Sequence, residues 1–270
     1  MDAAGRQLNS LLDINRRQSD EKVSIYSQLL PLRLCSLVGF SVEAVHRAVD
    51  ERLVRIIAPD GLPLVRIEVR ARPDDADTVF FLELSDTPFH QMELCLCVIR
   101  DPAAPRFNVD LDGQGRVNCF ASRGRNIPEE LRAMQAGLCP HQTRRGLRLF
   151  TDFLPLLECF VDALGMEMIE ADLLTYCNAI RYERFGFDYL SGRRLMLDID
   201  RKFQPGGSYF RRLDGSTGFR LPGMERTARG RSWAIHDGIM DEPWDDVRIY
   251  KMIGVHAGIN TFPGREREQC

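Results

Sequence analysis

Long apolar runs are missing from this 270-residue sequence: none approaches the roughly 20 consecutive residues that span a bilayer, so no membrane partner is expected. The opening residues, Met1-Asp2-Ala3-Ala4-Gly5-Arg6, lack the apolar stretch of a secretory signal, and the expected location is cytoplasmic. Surplus charge is also small. Thirty-six Lys and Arg against 39 Asp and Glu leave a net charge of -3, a field too weak to draw the whole molecule onto nucleic acid. No nucleic-acid partner is expected, and any anion site must be local. There is no internal repeat and no low-complexity linker to force a division into independent domains.

Motifs for several chemistries are absent as well. His236-Asp237-Gly238 has the look of a catalytic dyad, but no Gly-x-Ser-x-Gly elbow accompanies it, so His236 reads as a loop histidine. Cys95 and Cys97 with His90, or Cys139 with His141, could be imagined around zinc. Alternate strand residues share a face, however, and read better as core cysteines, so no metal is expected. The eight cysteines lie mostly in apolar periodic segments, which reads as reduced, buried thiols.

What is present is the composition of a folded protein, 44% hydrophobic and 28% charged, long enough to bury a sizeable core. Residues 20–34 read as a helix interrupted by Pro31, with a second helix beginning near Ser41. From Leu53 the apolar period becomes two. It predicts a hairpin around Asp60-Gly61, strands over 78–84 and 91–99, and another hairpin, 107–111 with 116–121, around the Asp112-Gly113-Gln114-Gly115 turn. A helix follows over 127–137, with Pro128 in its first turn. Apolar residues at Leu147, Phe150, Leu154, Leu157, Val161 and Leu164 mark one face of a helix that Gly165 ends. Beyond it the pattern predicts a strand over 166–174, a helix over 178–185, a strand over 194–199, a long loop region over 204–230 and a late strand over 246–252. The arginine-rich stretch with Arg211, Arg212, Arg220, Arg226, Arg229 and Arg231 reads as an edge of an acceptor site.

The segment Cys139-Pro-His-Gln-Thr-Arg-Arg-Gly-Leu-Arg-Leu-Phe150 resembles the pyrophosphate loop of GNAT acetyltransferases. A turn of this kind points backbone N–H groups at one place, and the positive end of the next helix adds to them. Thr143 and Arg148 depart from the family pattern, which prefers arginine or glutamine and then a second glycine. Downstream, Tyr182-Glu-Arg-Phe-Gly-Phe187 looks like the family's tyrosine-bearing helix end and glycine-phenylalanine turn. The match covers roughly residues 107–200.

The resemblance implies an α/β (α+β) fold: a mixed, mostly antiparallel central sheet flanked by helices. Its acyl-CoA-binding core would cover residues 53–203, between an N-terminal helical extension, 1–52, and a C-terminal loop-rich extension, 204–270. It implies an N-acyltransferase that moves an acyl group, expected to be acetyl, from acyl-CoA to an amine. The cofactor would be held by Thr143, Arg144, Arg145, Gly146, Leu147, Arg148, Thr175 and Asn178, with Tyr182 as the acid that protonates the departing thiolate. Asp110, Glu170 and Asp172 are candidate bases. The alternative is a non-catalytic GNAT-like module that binds CoA or a protein.

Overall fold

The computed structural model describes residues 8–118 and 124–263. Their contacts divide into two units: residues 8–102, 146–171 and 250–256 form unit 1, and residues 103–118, 124–145, 172–249 and 257–263 form unit 2. The fold is mixed α/β. Seven strands are hydrogen-bonded in the order β1-β2-β3-β4-β5-β7-β6, an open and mostly antiparallel sheet flanked by helices.

Unit 1 begins with four short helices, α1 (Leu11–Asn15), α2 (Ser19–Tyr26), α3 (Leu32–Val38) and α4 (Val45–Asp50). Pro31 is the N-cap of α3, the place where its missing N–H costs nothing. The expected meander follows: β1 (Val54–Ile57), β2 (Leu64–Val69), β3 (Phe80–Asp86) and β4 (Met92–Ile99), each antiparallel to the last. Gly61 turns the first hairpin at φ +76°, a conformation that needs no Cβ.

Asp86, at the end of β3, accepts the N–H groups of Leu11 and Leu12 at 3.0 and 3.1 Å and so places a carboxylate at the positive end of α1. Asn15 donates to the carbonyls of Leu62 and Leu64, and the Tyr26 hydroxyl donates to Asn15. Helix α6 (Phe150–Ala163) buries Phe153, Leu157 and Val161, and Phe153 meets Phe80 of β3 edge-on at 5.5 Å.

Unit 2 carries α5 (Ile127–Gln135), α7 (Tyr176–Arg184), β6 (Asp188–Tyr189), α8 (Arg193–Phe203), α9 (Ser208–Arg211) and α10 (Ala228–His236). Strands β5 (Met168–Asp172) and β7 (Arg248–Met252) lie where the chain passes between the units. The unit 2 core gathers Phe107, Ala133, Leu138, Phe219 and Trp233, with the Trp233 indole donating to the Leu138 carbonyl at 2.8 Å.

Three expectations are corrected here. Residues 194–199 are helical, because Met196, Ile199 and Phe203 are the buried positions and recur at helical spacing. The region 204–230 is not one loop: it contains α9, a 3₁₀ turn at Met224–Arg226 and the start of α10. Around Asp112 only one bridge forms, Leu111 with Val117, since the Asp112 carboxylate draws the N–H groups of Gln114 and Arg116 into a tight turn; residues 119–121 of that expected hairpin lie outside the described residues.

Candidate functional site

The sheet opens within unit 1. Strand β4 pairs with β3 along its length but with β5, parallel to it, at only two positions, Met92 with Ile169 and Glu93 with Glu170. The cause is local. Between the pairs Leu84–Leu94 and Glu83–Leu96 the β3–β4 register slips, leaving Cys95 as an extra residue on β4. A bulge bends its strand and sharpens its twist. This one falls two residues after Glu93, the last residue with a rung to β5, and the β4–β5 ladder ends beside it. Cys95 and Leu96 are exposed although β4 has a strand on either side of it, Leu96 to 38%.

Gly146 closes against the end of β4: a Cβ there would stand 3.3 Å from the Ile99 carbonyl oxygen. The Leu147 carbonyl accepts from Arg33, which also pairs with Asp152 in the first turn of α6 at 3.3 Å. Arg148 is exposed and holds φ +58°, the left-handed conformation that glycine adopts freely and other residues adopt under strain. The N-cap of α6 is Leu149, whose side chain makes no capping hydrogen bond.

In unit 2, Thr143 is buried and its carbonyl accepts the Phe107 N–H at 2.8 Å; Arg144 donates to the Ala104 carbonyl, and Arg145 is exposed. Thr175, Asn178 and Tyr182 share α7. The Thr175 hydroxyl is the helix N-cap and accepts the Asn178 N–H at 3.3 Å, so Thr175 has a structural task. The Tyr182 motif has one too: Gly186 ends the helix at φ +86°, the Phe187 N–H reaches back to the Tyr182 carbonyl, and the Phe187 ring meets Tyr182 edge-on at 4.9 Å.

Cys139 and Cys177 form a disulfide, which corrects the expectation of reduced thiols and ties the residue before Pro140 to the first turn of α7. Cys95 and Cys159 are exposed, not buried; Cys35 is buried, and burial pushes its thiol up to about 11.

Among the candidate bases, Asp110 pairs with Arg106 at 2.7 Å and exposed Asp172 with Arg248 at 2.7 Å. Glu170 is buried on the last β4–β5 rung. Of the arginines taken for an acceptor edge, Arg212 is engaged within the fold with Asp241, Arg220 with Asp237, and buried Arg231 with Asp200.

A charged network escaped the sequence reading. Arg125 holds Glu130 through Nε at 2.9 Å and Asp237 through Nη1 at 3.0 Å, and His236, the last residue of α10 and not a loop residue, lies 3.2 Å from Glu130. Burial of Glu130 opposes its ionisation, but hydrogen bonds with His236 and Arg125 prevail and hold it below the usual carboxylate range. His141 meets His236 edge-on at 4.8 Å. Although His141 as a residue is exposed, desolvation of its ring, with the charges of His236 and Arg125, lowers it to about 4. Glu130 and His236 are 106 residues apart, so no local pattern could have joined them. Among the described residues no group of three or more His, Cys, Asp or Glu side chains is arranged to hold a metal ion. Comparison with known proteins found no matching family model, no similar curated protein and no similar solved structure.

Proposed function

We propose that the chain is an acyl-CoA-dependent N-acyltransferase of the GNAT class. The observation that carries this reading is the β4–β5 ladder, which stops at the Glu93–Glu170 rung beside the Cys95 bulge. Among the described residues no β4–β5 pair follows that rung. The pantetheine arm of CoA is an extended chain bearing amides, and an extended amide chain adds beside a strand as another strand would. The turn at 146–148 leads into α6, whose positive dipole end favours the diphosphate.

In this reaction the acceptor nitrogen attacks the thioester carbon, the C–S bond breaks, and the amine proton leaves with a base. Glu170 is the candidate base and the Tyr182 hydroxyl the candidate acid that returns a proton to the departing thiolate. Holding the thioester in line with the amine supplies much of the rate.

Titration calorimetry with acetyl-CoA and longer acyl-CoAs, followed by thiol release against a panel of amines, tests the proposal. Saturable binding with amine-dependent thiol release is expected. No binding up to high micromolar concentration sinks the donor assignment, and binding without thiol release from any amine favours the non-catalytic CoA-binding module.

A further inference from the structure

The Cys139–Cys177 disulfide lies at a place where a covalent link has more to do than staple the fold. Cys139 directly precedes the segment 140–145, which leads into the phosphate-binding turn and carries Thr143, Arg144 and Arg145. Cys177 is the second residue of α7, between the N-cap Thr175 and Asn178. The bond therefore joins the two parts of unit 2 that the GNAT reading assigns to the acyl donor.

Each partner is also held without it. Upstream of the segment, the Trp233 indole donates to the Leu138 carbonyl and the Cys139 N–H donates to Gln142 Oε1 at 2.7 Å. Downstream, the Thr143 carbonyl accepts the Phe107 N–H. On the helix side, the Cys177 N–H donates to Ser232 Oγ at 3.3 Å, and Thr175 caps the first turn. Opening the bond leaves these anchors in place, so the fold survives. What is lost is the covalent link between α7 and Cys139, the residue from which Pro140, His141 and Gln142 continue. His141 stands in the left-handed region at φ +66°, a conformation that persists only while its surroundings enforce it.

We propose that the Cys139–Cys177 pair is a redox switch on donor binding: the disulfide holds residues 140–145 in their binding geometry, and two-electron reduction loosens them. This inference rests on the proposed acyl-CoA site. A dithiol reductant attacks one sulfur, passes through a mixed disulfide and leaves as a cyclic disulfide, so that two electrons and two protons end on Cys139 Sγ and Cys177 Sγ. Where a thiol pool keeps most cysteines reduced, a protein disulfide is usually transient, catalytic or redox-sensing, which is the use assigned here.

The test uses the full chain, oxidised with a cyclic disulfide or reduced with excess dithiothreitol, and reads the dissociation constant of CoA by calorimetry. Intact mass after alkylation counts the thiols. Reduction is expected to expose two further thiols with an unchanged far-UV spectrum and to weaken CoA binding at least tenfold, with re-oxidation restoring it. The Cys139→Ser and Cys177→Ser variants are expected to bind as weakly as the reduced chain whatever the redox state. Equal affinity in both states, or collapse of the fold on reduction, overturns the switch and leaves the donor site standing. Absence of CoA binding in both states of a folded chain overturns the donor reading and the switch together.

Discussion

Glu93 of β4 stands opposite Glu170 of β5, and no rung of that parallel ladder follows them. Two residues further along β4, after Leu94, Cys95 is the extra residue that bends the strand. Deleting Cys95 removes the slip without turning residues 96–99 to the other face, because Leu96 would then follow Leu94 opposite Glu83 and Leu84 in step. The deletion is expected to keep the fold and the unfolding midpoint while weakening CoA binding at least tenfold. Unchanged affinity in calorimetry would detach the cleft from the bulge.

Glu170 and Tyr182 carry distinct tasks in the proposed reaction, and kinetics separates them from binding. With a competent amine, Glu170→Gln and Tyr182→Phe are each expected to lower kcat about 10²-fold or more, the usual range for general acid–base groups, with CoA affinity within threefold of the parent. A variant that keeps full turnover removes that residue from the mechanism.

The alternating strands β1 to β4 were legible because one face of each is buried and the period of two survives in the sequence. Helix α8 was not: Leu195, Leu197 and Ile199 alternate with Met196 and Asp198 as a strand would, and only the buried set Met196, Ile199 and Phe203 reveals the helix. The turn and the Tyr182 helix end could be placed as motifs, since glycine and a helix start mark them. The Cys95 bulge could not, because a register slip belongs to two strands at once and leaves no mark in either. Cys139 and Cys177, 38 residues apart, met the same obstacle.

Arg148 is a strained residue at a position where the resemblance expects glycine. At φ +58° an arginine costs about 1 kcal/mol that glycine does not. Arg148→Gly is expected to raise the unfolding free energy by roughly 0.5–1 kcal/mol, read by urea denaturation. Arg148→Val, β-branched, is expected to lower it by more than that amount. A destabilised glycine variant would show that contacts of the arginine outweigh the strain.

Arg231 is 3% exposed and packs its guanidinium 4.1 Å from the Phe262 ring centroid and 5.1 Å from that of Phe203, while donating to Asp200 at 2.7 Å and to the Glu225 carbonyl. A planar, stacked cation cannot be replaced by a point charge on a flexible stem. Arg231→Lys is expected to cost about 3 kcal/mol, the range for disturbing a buried ion pair. An unfolding midpoint within error of the parent would contradict this.

Acid sensitivity should come from the network around Glu130 in two stages with the same sign. His141 is lowered from 6.5 to about 4, so between those values the unfolded chain takes a proton that the folded chain refuses. Its contribution is complete above pH 6.5 and is lost as pH falls towards 4. Glu130, also held low, contributes stability that is complete above the ordinary carboxylate range and disappears as pH falls through its folded value. The urea midpoint is therefore expected to fall from pH 7 to pH 4.5, and to fall further below that. His141→Asn keeps a side chain that tolerates φ +66° and cannot titrate, so it is expected to flatten the first stage and leave the second. Parallel curves for the two proteins between pH 7 and 4.5 would show that His141 is not held neutral by its ring packing.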